Sequence, residues 1–166
     1  MKQETVSNSV TLPGIFREAL IKDVETMQKL IQVHADKDLM LKRHANELYE
    51  TVREYNVYEE DGRIVGLCGL KVIWKDLAEV RSLAVDEKHF GRDIGQTLVR
   101  MALDEARRLG IARVFTLTYV PRFFEKLGFR VVDKSTLPHK VWGDCVRCHK
   151  FPDCDETGMI LDLAQA

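Results

Sequence analysis

Between Ala78 and Gly110 the chain passes from a β-forming run, through a glycine-bearing loop, into its longest amphipathic stretch. Ala78 to Val85 reads as a strand. His89-Phe-Gly-Arg-Asp-Ile-Gly95 is the loop. From about Asp93 to Leu109, residues Ile94, Leu98, Ala102, Ala106 and Leu109 recur at helical spacing and make one apolar face. Arg107 and Arg108 sit at the end of this stretch, where a helix dipole favours cations, and Gly110 stops it. A strand that feeds such a helix calls for a sheet on which the apolar face can lie, an α/β arrangement.

The other segments supply that sheet and its second layer. Ile15 to Ala19 reads as a short strand. Asp23 can cap a helix that carries Val24, Met27, Leu30 and Ile31. A second helix is expected from about Leu41 to Glu54, with Leu48 and Val52 inward. Tyr55-Asn-Val-Tyr58 alternates, Asp61-Gly62 is a tight-turn signal, and Arg63 to Trp74 is rich in β-formers, so this is a hairpin. Arg113 to Thr118 is a strand, Pro121 opens a short helix over Arg122 to Leu127, and Phe129 to Val132 is a further short strand. Residues 135–156 read as irregular, and Gly158 to Leu163 as a closing strand. The fold class is α/β, a single-domain mixed sheet flanked by helices. Residues 1–12 read as a flexible polar leader, and 13–166 as one domain that includes the cysteine-containing segment 135–156.

At 166 residues the chain has one domain's worth of core. Lys plus Arg total 25 against 26 Asp plus Glu, a net charge of −1, which argues against a nucleic-acid partner. No apolar run is long enough to span a bilayer, and the opening MKQETVSNSV has no apolar core. These features predict a cytoplasmic protein with no membrane partner. Its four cysteines are then expected to be reduced, with Cys68 a small core residue on a strand. Cys145-x-x-Cys148 with Cys154 has the spacing of zinc or iron–sulfur ligands, but no complete four-ligand set accompanies it. The sequence therefore assigns no metal.

AEVRSLAVDEKHFGRDIGQTLV, from Ala78 to Val99, resembles the acetyl-CoA-binding core of the GNAT superfamily of N-acetyltransferases. FFEKLGF, from Phe123 to Phe129, resembles that family's closing helix–strand motif. The similarity covers roughly residues 14–134. LMLKRHANELYE, from Leu39 to Glu50, looks like the start of the acetyltransferase domain in N-acetylglutamate synthases, particularly the short bacterial form.

The resemblance implies acetyl-CoA as co-substrate and an amino acid, L-glutamate, as acceptor, the first step of arginine biosynthesis. It also implies a homodimer. The backbone of Leu83, Ala84 and Val85 would pair with the pantetheine arm by strand addition. Phe90, Gly91, Arg92, Asp93, Ile94, Gly95 and Gln96 would hold the pyrophosphate, for which a helix N-terminus offers unpaired amides. Arg92 is the expected side-chain phosphate contact. The loop departs from the family pattern: Phe90 brings no polar group, and Asp93 brings a negative charge unless it turns away to cap the helix.

Glu79 matches the glutamate that family members use as general base, which the ammonium acceptor needs before it can attack a thioester. Strict alternation would put Glu79, Arg81, Leu83 and Val85 on one face of the strand, and an Arg81–Glu79 ion pair would weaken the base. A substrate carboxylate on Arg81 relieves that conflict. Lys42, Arg43 and Arg81 are the candidate receptors for an acidic acceptor, Arg being favoured for its planar fork. The position of the family's acidic Tyr is taken by Phe124, and Tyr119 is a weak substitute, so the general acid is unassigned. Other readings are an acetyltransferase for another small amine or a protein N-terminus, and a non-catalytic sensor of acetyl-CoA or metal.

Overall fold

The computed structural model describes residues 11–137, 145–150 and 152–165. Seven strands form one sheet in the order β1-β2-β3-β4-β5-β7-β6. Strand β1 (Ile15–Glu18) leads through a 3-10 turn into helices α1 (Val24–Ala35) and α2 (Ala45–Glu50). Strands β2 (Tyr55–Glu60), β3 (Arg63–Trp74) and β4 (Leu77–Val85) then make an antiparallel meander. Helix α3 (Ile94–Arg108) crosses to β5 (Arg113–Thr118), which runs parallel to β4. Helix α4 (Pro121–Glu125), β6 (Arg130–Val131) and β7 (Thr157–Asp162) complete the order. This is the element order the sequence predicts, with boundaries moved by a residue or two except at α2. The leader's residues 1–10 and positions 138–144 of the cysteine segment lie outside the described residues. Leu12, within the predicted leader, packs against the core.

Each face of the sheet carries a core. Ile94, Leu98, Val99, Ala102, Leu103 and Ala106 of α3 bury against Val80, Val65 and Leu70, while Leu109, expected on the same face, lies exposed. Full burial of a Leu, Ile or Val side chain stabilises by about 1.5–3 kcal/mol, so this contact fixes α3 on the sheet. On the opposite face, Val24, Met27 and Ile31 of α1 and Leu48 of α2 bury against Val57 and Leu67. Asp61 and Gly62 both take positive φ, 51° and 72°, as the hairpin turn requires. Cys68 is fully buried on β3.

Three local expectations are corrected. The predicted helix over Leu41–Glu54 is a short α2 followed by a separate 3-10 turn, Val52–Glu54. His44 is extended ahead of α2, and Thr51 folds its hydroxyl onto the Glu47 carbonyl at 2.7 Å as the α-helix ends. Asp93 does not cap α3: it is left-handed (φ 61°), and its side chain makes no cap hydrogen bond. Finally, β4 does not alternate to its end. Its register against β3 moves from Gly69↔Arg81 to Leu67↔Ala84, so β4 carries one extra residue, and Ser82 takes φ 53° at this bulge. Leu83 and Val85 therefore join Ala78 and Val80 on the α3 face, while Ala84 packs with Met27 and Leu67 on the other. Among the described residues no helix is long and apolar enough to cross a membrane.

Candidate active site

Strands β4 and β5 pair only through Leu77↔Arg113, Ala78↔Val114 and Glu79↔Phe115. Beyond that step β5 keeps its pairing with β7 but not with β4, so the sheet splays. The Thr116 hydroxyl donates to the Val80 carbonyl at 2.9 Å across the start of the gap. A cavity of about 320 Å³ opens there, and the α1–α2 connection, β4, β5 and the segment around Cys145 to Glu156 contribute to its wall.

Glu79 lines this cavity at the last paired step of the two strands. Arg81 lines it too, only 6% exposed, and donates to the Glu54 carboxylate at 2.7 Å. Arg43 enters just before α2 and is also buried. One of its terminal nitrogens donates to Glu47 at 2.6 Å, while its Nε is buried with no hydrogen-bond partner among the described residues. The helix predicted over 41–54 starts only at Ala45, which leaves Arg43 in the non-helical approach to α2. Lys42, the neighbouring candidate, is exposed and off the cavity wall. A Glu lies within reach of each buried arginine, which keeps each guanidinium neutralised in a partly desolvated site.

The predicted coenzyme residues divide. Leu83 and Phe90 line the cavity; Ala84 is buried in the α1-side core, and Val85 presents its carbonyl to His34 Nε2 at 2.9 Å. A carbonyl only accepts, so that imidazole nitrogen carries the proton. Gly91 has φ 76°, a conformation that needs glycine. A Cβ at Gly95 would meet Phe123 and Val85 at 3.5–3.7 Å, ordinary contacts, so packing alone does not demand glycine there. The side chain of Ile94 is core, so only its amide faces the helix entrance. Gln96 accepts from Arg100 at 3.3 Å on the first turn. Arg92, the expected phosphate contact, instead makes two hydrogen bonds to Glu60, at 2.7 and 3.1 Å. Glu60 also accepts from the Tyr58 hydroxyl, and these donors, Arg92 first, hold its carboxyl below the usual range. That network ties the loop to β2.

Two further cavity groups, His34 and Glu156, are not among the residues the sequence singles out. His34 was legible as a polar residue on the inward stripe with Met27 and Ile31. Glu156 gave no local signal; burial pushes its carboxyl up. Tyr119 donates to Asp155 at 2.6 Å and lies under Lys150, whose Nζ is 4.4 Å from the ring centre. Burial, then the bond to Asp155, pushes its hydroxyl up to about 12. Cys145, Cys148 and Cys154 all line the cavity, but among the described residues no group of three or more His, Cys, Asp or Glu side chains could hold a metal ion.

A sheet that splays beside a helix entrance, with a carboxylate and two buried guanidiniums around the opening, places the protein among the acyltransferases. Residues 21–129 match the acetyltransferase (GNAT) family, and the chain belongs to it. It is 33% identical over 147 residues to an uncharacterised N-acetyltransferase of Chlorobaculum tepidum, covering 89% of this chain and 95% of that one. It is 34% identical over 138 residues to an amino-acid acetyltransferase of Mycobacterium tuberculosis, covering 81% and 79%. A solved Mycobacterium tuberculosis structure in complex with CoA superposes with a TM-score of 0.77 at 31% identity, over 89% of this chain and 98% of that one. The chain is thus an acetyltransferase by family.

Proposed function

We propose that the chain transfers the acetyl group of acetyl-CoA to the α-amino group of L-glutamate. The observation that carries this is Arg43: a buried guanidinium in the cavity wall with an unpartnered Nε, across from Arg81 and beside the Glu79 opening. A buried donor without an acceptor costs about 1–3 kcal/mol, which a carboxylate ligand recovers. The match of Leu39 to Glu50 with N-acetylglutamate synthases, and the amino-acid acetyltransferase among the relatives, support the same acceptor.

In this reading acetyl-CoA lies in the β4–β5 splay. Its pyrophosphate meets the amides at the entrance of α3, which Asp93 leaves uncapped. Arg43 and Arg81 take the acceptor's carboxylates. Glu79, directly or through water, accepts the ammonium proton, and the freed amine attacks the thioester carbonyl. Backbone amides at the Ser82–Leu83 bulge, where an extra residue leaves the ladder, stabilise the oxyanion. The thiolate then leaves and is protonated from solvent, with no covalent enzyme intermediate.

An acceptor screen that follows free thiol release tests this. Glutamate should outperform alanine and glutamine. Equal rates for glutamate and alanine would move the acceptor to another amine, and no acceptor-dependent thiol would remove the catalytic reading.

A further inference from the structure

We propose that Cys145 and Cys148, which face the acceptor cavity, form a modification site for low-molecular-weight disulfides, and that closing their bond reshapes the cavity wall. None of the four cysteines is in a disulfide. Cys68 is sealed in the core, but Cys145, Cys148 and Cys154 are half-buried and line the cavity that holds Glu79 and Arg43. The Cys148 amide donates to the Cys145 carbonyl at 3.0 Å, closing a turn. A turn of this kind keeps its first and fourth Cα within about 7 Å. Disulfides span about 4.4–6.8 Å between Cα atoms, so this pair can bridge with little backbone movement.

The two thiols differ. The Lys150 amide donates to Cys148 Sγ at 3.4 Å and supports negative charge as that sulfur attacks. Cys145 is held protonated: burial first, then the charge of Glu79, pushes it up to about 11. Cys148 is therefore the attacking thiol and Cys145 the resolving one.

The steps balance as thiol–disulfide exchange. Cys148 loses its proton to solvent and attacks one sulfur of the small disulfide. The new S–S bond forms as the old one breaks, and the departing thiolate takes a proton. Cys145 then loses its proton to solvent and attacks Cys148 Sγ, releasing the second small thiol. The two cysteines are oxidised and the small disulfide is reduced to two thiols.

The segment is anchored after the turn. Lys150 donates to the Tyr119 hydroxyl and to the Asp38 carbonyl, and Lys134 donates to the Cys154 carbonyl at 2.6 Å. A new bond draws the two sulfurs, both on the cavity wall, together and so changes the side-chain surface that Glu79 and Arg43 share with them. That consequence for turnover rests on the proposed function; the chemistry of the pair does not.

The test uses the full chain, reduced, desalted and incubated with oxidised glutathione or with the disulfide of coenzyme A. Intact mass should fall by two hydrogen atoms, and peptide mapping should join Cys145 to Cys148. Cys145→Ser should stop at a mixed disulfide on Cys148, and Cys148→Ser should give no Cys145 adduct. Acetyl transfer should fall on the order of a hundredfold, the scale of misplaced positioning groups, and return with dithiothreitol. A linkage to Cys154, or no linkage under conditions that oxidise a free dithiol peptide, would overturn the site. Linkage with turnover unchanged would overturn the gating. Linkage in a protein that never acetylates glutamate would leave the site standing and count against the proposed acceptor instead.

Discussion

Replacing Arg43 with Met removes one guanidinium from the cavity while keeping most of the side-chain volume. Arg43 is 9% exposed, one terminal nitrogen is given to Glu47, and Nε has no partner among the described residues. If the acceptor carboxylate fills that vacancy, the variant loses one hydrogen bond between charged groups, about 1.5–3 kcal/mol. At about 1.36 kcal/mol per decade this is roughly a 10- to 150-fold fall in kcat/KM for glutamate. Glu47 is one-third exposed and rehydrates once Arg43 is gone, so stability should change by no more than about 1 kcal/mol. The assay is initial-rate thiol release with glutamate and with alanine, alongside a thermal melt. The ratio of the two kcat/KM values should collapse towards one, with Tm nearly constant and acetyl-CoA affinity kept. Equal losses for both acceptors, or an unchanged ratio, would refute the glutamate side-chain carboxylate at Arg43. Arg43→Lys keeps the charge but not the fork, and should fall between the two.

Glu79→Gln should lower turnover at neutral pH by roughly a hundredfold or more, the contribution of a general base, while calorimetry shows the same acetyl-CoA affinity. Unchanged turnover would take that role away from Glu79. Arg17 donates twice to Asp23, at 2.7 and 2.9 Å, and this pairing first, with the Leu20 amide, holds the Asp23 carboxyl below its usual range. A carboxyl depressed in the folded state stabilises above its unfolded value, about 3.9, and that stability is lost as pH falls through the lower folded value. Tm should therefore drop on acidification below about pH 4 more steeply in the parent than in Asp23→Asn, and parallel curves would contradict this. Leu98→Ala removes a fully buried side chain between α3 and the sheet and should cost about 3–5 kcal/mol in urea unfolding; a loss under about 1 kcal/mol would mean that α3 is not seated as described.

The strand–loop–helix at 78–109 was legible because each level of the sequence agreed there: β-formers, then glycine, then a 3.6-residue apolar stripe ended by Arg107, Arg108 and Gly110. The hairpin was legible for the same reason, since Asp61 and Gly62 tolerate the positive φ their turn needs. Arg43 could be named from the sequence, but not its burial, because inward placement depends on where α2 begins. The Arg92–Glu60 pair was not legible for a related reason: Glu60 lies 32 residues away on another strand, and no local pattern reports a long-range ion pair. Glu156 and the Tyr119–Lys150–Asp155 contacts depend on how the C-terminal segment returns to the sheet, which its irregular sequence does not encode by period.

The bulge in β4 is the deepest of these gaps, because it changes the side on which the strand's residues act. Period-two reasoning assumes one residue per step, and a single insertion reverses every assignment after it. Ser82 marks the insertion with φ 53°, a region that costs a non-glycine L-residue about 1–2 kcal/mol. Neither Gly nor Asn stands there to announce it. The strain falls where the strand changes duty. Before it, Glu79 and Arg81 point away from the α3 core; after it, Leu83 and Val85 pack towards α3 and Ala84 turns to α1. An uninterrupted strand would keep Leu83 and Val85 on the same face as Glu79 and Arg81, and would point Ala84 at α3. The bulge thus lets one nine-residue strand carry charged groups at its entrance and seat the loop into α3 at its exit.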